Sequence, residues 1–367
     1  MASRAESRPE ELLAKRGGAV ELLRIPAFLF GRLSGLRGRM YDRGILPSAR
    51  LDAPVVCVGN LSVGGTGKTP MVLHLAEALA ARGRRPGILS RGYKAPSPDQ
   101  PNDEARLFGV LAPDVPHVAD ADRVRGGRRL LGQGVDVVLL DDGFQHRRLA
   151  RDLDLVLVDA TRPWGLPATD GAEPVQAVLP RGLLRESPRA LRRADAIVLT
   201  RADQVDDAER ARLEDELFAH APGKPILWAV HRPAGLRSLR GGEEVLSDLE
   251  GRTVDLISGI GNPDAFEASV RSMGAAVGRH ERRPDHHAFR VEDFAPFQDS
   301  DHWIVTTAKD AVKLVDVLPE ELTARVRVLA IQLAITRGAV VLEALLDALP
   351  RGSRERARAA MHEGLHG

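Results

Sequence analysis

The stretch that most restricts what this chain can fold into is GNLSVGGTGKTP, residues 59–70. The apolar run Val55–Val58 leads into it, and a helix-forming segment follows from Lys68. Strand, glycine-rich turn, Gly-Lys-Thr and helix, in that order, specify a phosphate-binding loop. Glycines leave no Cβ between the backbone amides and an anion, and the helix N-terminus adds partial positive charge. Ser62, Val63, Gly64, Gly65, Thr66, Gly67, Lys68 and Thr69 are therefore expected to cradle a nucleotide. In this arrangement Lys68 reaches the β- and γ-phosphates and the Thr69 hydroxyl binds Mg²⁺. The strict spacing G-x-x-x-x-G-K-T places glycine at position 62; here Ser62 stands there, and Gly64 and Gly65 supply the freedom instead. The loop alone does not say whether the terminal phosphate goes to water, to a partner's switch, or onto a substrate.

From residue 54 onward, apolar runs alternate with helical stretches. Strands are expected at Val55–Val58, Ile88–Ser90, Val135–Leu140, Leu153–Asp159 and Ala196–Thr200, and helices at Lys68–Arg82, Arg123–Gln133 and Glu209–His220. Such alternation predicts an α/β fold, a P-loop nucleoside triphosphatase-type parallel sheet covered by helices. A second, smaller α/β lobe is expected after about residue 224. Its strands are Ile226–His231, Val254–Ser258, Ala276–His280, Trp303–Thr307 and Val326–Leu333, and its helices Pro263–Met273 and Gly338–Leu349. A Gly- and Arg-rich connection near 233–243 would join the lobes, and a cleft between lobes is the usual place for a ligand. The resulting division is an N-terminal segment 1–46, a core 47–224, a closing lobe 225–350 and a tail 351–367.

The strand Val135–Leu140 ends in Asp141-Asp142. A carboxylate at that point holds Mg²⁺ in nucleoside triphosphatases. Adjacent strand residues face opposite ways, so one of the two is expected at the metal, and spacing does not choose between them. Before the core, Leu22, Ile25, Leu29, Leu33 and Leu36 recur at helical spacing beside Phe28 and Phe30, with Arg24, Arg32, Arg37, Arg39 and Arg43 interleaved. This basic amphipathic segment, with Pro26 near its start, either lies in a membrane interface or packs on the protein's own core. No apolar run reaches the roughly 18–20 residues that span a bilayer, and no signal peptide is read. A net charge of +1 gives no field for recruiting nucleic acid. The single cysteine, Cys57, forms no internal disulfide, which points to a reduced cytoplasmic setting.

Further stretches complete a pattern: SRGY (90–93), NDE (102–104), DDGFQHRRLARDLDLVLVD (141–159), LPRGLLRE (179–186), SGIGNPDAF (258–266) and TTAKDAVKL (306–314). With GNLSVGGTGKTP they closely resemble the tetraacyldisaccharide 4′-kinase family of lipid A biosynthesis, from about residue 20 to residue 345. The resemblance implies transfer of the γ-phosphate of ATP, with Mg²⁺, to the 4′-hydroxyl of a tetraacylated glucosamine disaccharide 1-phosphate, giving lipid IVA. It implies work at the cytoplasmic face of the bacterial inner membrane, peripheral or monotopic, with the N-terminal helix at the membrane interface and no protein partner evident.

The resemblance also implies roles. Asp103 matches the family's proton-accepting aspartate and His286 the histidine that assists it. NDEA replaces the family's usual GDEP, a difference that bears on loop geometry, since Asp103 and Glu104 are intact. Glu104 and Asp142, with Thr69, are candidate Mg²⁺ ligands, and Lys68 stabilises charge on the transferring group. Arg91, Tyr93, Arg123, His146 and Arg185 are candidate contacts to the lipid's phosphate and sugar oxygens. SGIGNPDAF either closes over the nucleotide or is a structural turn, and Lys309, Asp310 and Lys313 either pack the lobe or reach the cleft. The competing reading is a P-loop switch ATPase acting on a protein partner. Such switches carry a lysine early in the loop, and this chain has none there. LTRAD (199–203) echoes a guanine-reading motif only loosely, so ATP is favoured over GTP.

Overall fold

The computed structural model describes residues 9–92, 103–167 and 174–351. Tyr93 and residues 352–367 of the expected tail lie outside the described residues. The strands are β1 Val55–Asn60, β2 Pro86–Ser90, β3 His117–Ala119, β4 Val137–Asp141, β5 Leu153–Asp159, β6 Ala196–Thr200, β7 Ile226–Ser238, β8 Glu243–Glu244, β9 Thr253–Ser258, β10 Ala276–Arg282, β11 Trp303–Thr307 and β12 Val326–Arg337. The α-helices are α1 Pro9–Ala14, α2 Arg24–Asp42, α3 Lys68–Ala81, α4 Asp103–Leu111, α5 Arg123–Gly132, α6 Asp207–His220, α7 Pro263–Ser272, α8 Ala308–Leu314, α9 Glu320–Thr323 and α10 Ala339–Asp347.

One sheet runs through both lobes in the order β10-β9-β11-β12-β7-β6-β5-β1-β4-β2-β3, with β8 on β7. The β7–β12 and β7–β8 pairs are antiparallel and every other pair is parallel. Strands β1, β4, β5 and β6 are buried at every position, as expected of parallel strands covered on both faces. Alternate residues serve opposite faces. Val55 and Cys57 join one apolar cluster with Leu140 and Phe144. Val56 and Val58 join another with Met71, Leu75 and Leu79 of α3. The second lobe has its own clusters, around Leu256, Phe266 and Val305 and around Phe289, Phe294 and Ile304.

The connection expected at 233–243 is instead strand as far as Ser238. Cross-strand pairing with β12 overrides the breakers there, and Pro233 sits where the register shifts between Ala330 and Ile331, so its missing N–H costs little. The chain therefore leaves the core along β7 and returns along β12. α10, expected with the smaller lobe, packs through Leu342 and Leu346 into the cluster that holds Leu75 and Leu79. Two ion pairs from Arg82, to Glu343 and Asp347, tie it there. Strand β3 and helices α4, α8 and α9, none of them expected, complete the layers.

Candidate active site

The C-terminal ends of β1, β4, β5 and β6 lie side by side, where α/β sheets hold ligands. Asn60, Asp141, Asp159 and Thr200 occupy those ends. Above them is a cavity of about 580 Å³ walled by both lobes. It is lined by Val63 through Thr69, by Arg91, Asp103, Glu104, Asp141, Asp142 and Arg185, and from the second lobe by Gly261, Asn262, Asp285, His286 and Lys309. Leu73, Phe108, Ile260, Phe266, Leu329 and Ile331 give it apolar walls. Among the described residues, the three non-glycine residues with positive φ are Asp142 (52°), Arg201 (55°) and His286 (60°). All three line this cavity, and backbone strain of this kind gathers at functional sites.

The phosphate loop is pinned from below. Ser62 bridges to Leu184 and the Val63 N–H donates to the Leu183 carbonyl at 2.8 Å. Ser62 is thereby buried and does not line the cavity. Gly67 has φ +88°, and a Cβ there would lie 2.5 Å from the His231 imidazole, so glycine is required. Lys68 Nζ donates to Asn60 Oδ1 at 3.1 Å and lies 3.6 Å from Asp142.

The acidic pair divides by environment. Asp142 accepts from Arg185 Nη1 at 2.9 Å on both oxygens. Burial works against its charge, but Lys68 and Arg185 outweigh it and hold its pKa at about 2. Asp141 is buried, and burial, with Glu104 and Asp142 nearby, pushes its pKa up to about 7. Its Oδ1, Glu104 Oε2 and Thr66 Oγ1 are buried with no hydrogen-bond partner among the described residues. Like charges crowded in a desolvated corner, with oxygens left unsatisfied, fit a hard divalent cation. Among the described residues no cluster of three or more His, Cys, Asp or Glu forms a metal cage. Such oxygens could hold a divalent cation together with phosphate oxygens and water.

Asp103 and Glu104 open α4. From the second lobe, Lys309 Nζ donates to Asp285 Oδ1 at 2.8 Å and lies 3.5 Å from His286 Nε2. Burial, then the Lys309 cation, lower the His286 pKa from its ordinary value, which favours the neutral imidazole. Arg123 and His146 do not line the cavity. Arg123 is buried, donating to the Asp120 carbonyl at 2.7 Å, and its charge is felt by His146. Burial, then Arg123, Arg151, Arg37 and Arg148, lower the His146 pKa to about 4.

Sequence reasoning missed Asn60, Gln145, Arg201, His231 and Asp285. Gln145 Nε2 donates to the Asn60 carbonyl at 3.0 Å, and Arg201 Nη2 to the Gly65 carbonyl at 3.0 Å. Asn60, Gln145 and Arg201 all fall within quoted stretches. Asn60 ends β1 just before the phosphate loop, and Gln145 directly precedes the named His146, the signals that could have found them.

The loop, the acidic corner and the two-walled cavity define a P-loop nucleotide-binding protein. A family model for tetraacyldisaccharide-1-P 4′-kinase matches residues 19–350. The chain belongs to the tetraacyldisaccharide 4′-kinase family. A tetraacyldisaccharide 4′-kinase of Anaeromyxobacter sp. (strain K) is 40% identical over 364 residues, 93% of each chain. That of Syntrophus aciditrophicus is 39% identical over 308 residues, 76% of this chain and 80% of the other. A crystal structure of LpxK from Aquifex aeolicus, described as in complex with ATP, superposes with a TM-score of 0.69 at 31% identity, covering 90% of this chain and 98% of that one.

Proposed function

We infer that the protein is an ATP-dependent lipid sugar kinase that phosphorylates the 4′-hydroxyl of a tetraacylated glucosamine disaccharide 1-phosphate. The observation that carries this reading is the convergence, in one cavity, of the phosphate loop, the unsatisfied Asp141–Glu104 corner, Asp103 and His286. The hydroxyl oxygen attacks the γ-phosphorus of ATP, the bond to the β-phosphate oxygen breaks, ADP leaves, and Asp103 takes the hydroxyl proton. Neutral His286 is suited to orient the Asp103 carboxylate, and Lys68 to offset charge on the transferring group. Glu104, Asp141 and the Thr69 hydroxyl would hold Mg²⁺, which neutralises phosphate charge when bound. Arg91 and Arg185 are proposed to meet the acceptor's phosphate and sugar oxygens. Arg123 would act from behind them through its charge, with His146 on the same side.

Membrane association through α2 belongs to the same proposal. Ile25, Phe28, Leu29, Leu33 and Leu36 are exposed along it, and Leu22 in the turn just before it. No helix among the described residues is long and apolar enough to cross a membrane, so α2 would lie in the interface of the cytoplasmic face of the inner membrane.

The test is transfer of label from γ-labelled ATP to purified tetraacyldisaccharide 1-phosphate in mixed micelles with Mg²⁺. Labelled lipid is expected, reduced roughly 10²–10⁴-fold in Asp103→Ala. Release of phosphate without labelled lipid would overturn the kinase reading and return the switch ATPase, which the family membership does not favour.

A further inference from the structure

The SGIGNPDAF turn of the second lobe touches the phosphate loop directly. A Cβ built on Gly261 would lie 2.3 Å from the Gly65 nitrogen and 2.8 Å from the Gly64 Cα, so the two backbones are in contact. Next to it, the Asn262 amide Nδ2 donates to Asp159 Oδ2 at 2.8 Å and to Thr161 Oγ1 at 2.9 Å. Asp159 ends β5, and the same Oδ2 accepts from Arg201 Nη1. Arg201 Nη2 then donates to the Gly65 carbonyl at 3.0 Å. Asp159, Arg201 and Asn262 are 3%, 8% and 3% exposed, so water does not compete for these bonds. Arg201 holds a left-handed backbone at φ 55° to make this reach.

We propose that Asn262, acting through Asp159 and Arg201, is a positioning residue that sets the phosphate loop from across the lobe boundary. The chain of contacts explains why a loop of variant spacing needs outside support. With Ser62 in place of the expected glycine, the loop is fixed by bonds to its own carbonyls: Arg201 holds that of Gly65, and Thr200 Oγ1 donates to that of Thr66 at 3.0 Å. Tying a carbonyl fixes the peptide plane that carries the following amide, and those amides bind phosphate. A loop left free would have to be ordered by the nucleotide itself, which weakens binding. Asn262 and Arg201 border the cavity, and their bonds run to Asp159 and the Gly65 carbonyl, so their effect is on ATP affinity and on the geometry presented to it. This inference rests on the proposed nucleotide site.

Asn262 has a second, local task, since its Oδ1 accepts from the Ala265 N–H at 3.2 Å and caps α7. Serine also caps helices well but has no amide to reach Asp159. Asn262→Ser therefore separates the two roles. The experiment measures ATP affinity by calorimetry, KM for the lipid acceptor, and the melting temperature, on the full chain. The expected result is about tenfold weaker ATP binding, since a loop no longer held must be ordered by the nucleotide, with acceptor KM unchanged and the melting temperature lower by only a few degrees for the lost buried hydrogen bond. Gly261→Ala, which drives a methyl into the loop, is expected to weaken ATP in the same way. ATP affinity within twofold of wild type in Asn262→Ser overturns the relay alone. So does a larger fall in melting temperature with ATP and acceptor weakened alike, which would mark a structural role. Failure of the unaltered protein to bind ATP would remove the nucleotide site and the relay together.

Discussion

Helices α2 and α3 both carry a stripe of large apolar side chains, and they turn it in opposite directions. In α3, Met71, Val72, Leu75 and Leu79 are fully buried against the sheet. In α2, the residues that face the protein are mostly small: Ala27 is buried, and Gly31, Ser34 and Gly38, with Met40 and Tyr41 at the C-terminal end, are partly covered. A Cβ at Gly31 would meet Val178 at 3.4 Å, and Arg147 reaches the Gly38 carbonyl at 2.8 Å. Leu29 and Leu33 on the other side stay 57% and 68% exposed. The docking of α2 is polar: Arg147 pairs with Asp42 at 2.7 Å, and Arg37 donates to the Gln145 carbonyl at 3.3 Å. Farther up, Arg181 is fully buried and holds the Leu13 and Lys15 carbonyls and Glu21. The difference teaches that amphipathicity states how wide an apolar face is and leaves open which medium covers it. In α3 the medium is the core, and in α2 a lipid interface is the proposal.

The sharpest break in this comparison is at the first residue of α3. Lys68→Met should lower phosphate transfer by roughly 10²–10³-fold, as for loss of one charge-stabilising donor. Binding to liposomes should be unchanged, because α2 is untouched. Next is paired truncation. Leu75→Ala should cost about 2–5 kcal/mol of unfolding free energy, whereas Leu33→Ala should fall within about 0.5 kcal/mol of wild type; chemical denaturation checks both. A comparable loss in Leu33→Ala would mean that α2 is packed after all.

A third comparison replaces Leu29 and Leu33 together by Asp. Cosedimentation with anionic liposomes should drop at least tenfold while ATP affinity stays the same, since burial of each leucine in an apolar medium is worth about 1.5–3 kcal/mol. Equal liposome binding would detach α2 from the membrane reading. The smallest effect concerns pH. Lys309 lowers the His286 pKa, so Lys309→Met should raise it, and the acid limb of the turnover profile should move to higher pH. An unmoved limb would remove Lys309 from control of His286.

Much of the core was legible because its signals are local. β5, β6 and β11 run as expected from apolar runs alone, and the strand–glycine–GKT–helix order located the phosphate loop without tertiary information. The ends of β7 and β12 were not legible. Pro233 and Gly235 read as breakers, and only pairing across the two strands makes them sheet. The cavity was half legible. Asp103, Glu104, Asp141, Asp142, Arg91, Arg185 and His286 were named from motifs and line it. His231 carries no local pattern that separates it from ordinary residues, whereas Asp285 directly precedes the named His286 and could have been found from it.

What the sequence by itself determined is whatever depends on neighbours in the chain: the parallel core, the phosphate loop, the two acids ending β4 and the apolar face of α2. Tertiary structure alone decided which of those acids was answered. Arg185, 43 residues downstream of Asp142, neutralises it, while Asp141 is left in a desolvated corner beside Glu104. It also decided that Asn262 would reach Asp159 across 103 residues of chain. Charge and hydrogen bonding act through space over a few ångströms, and only folding sets which distant residues come that close.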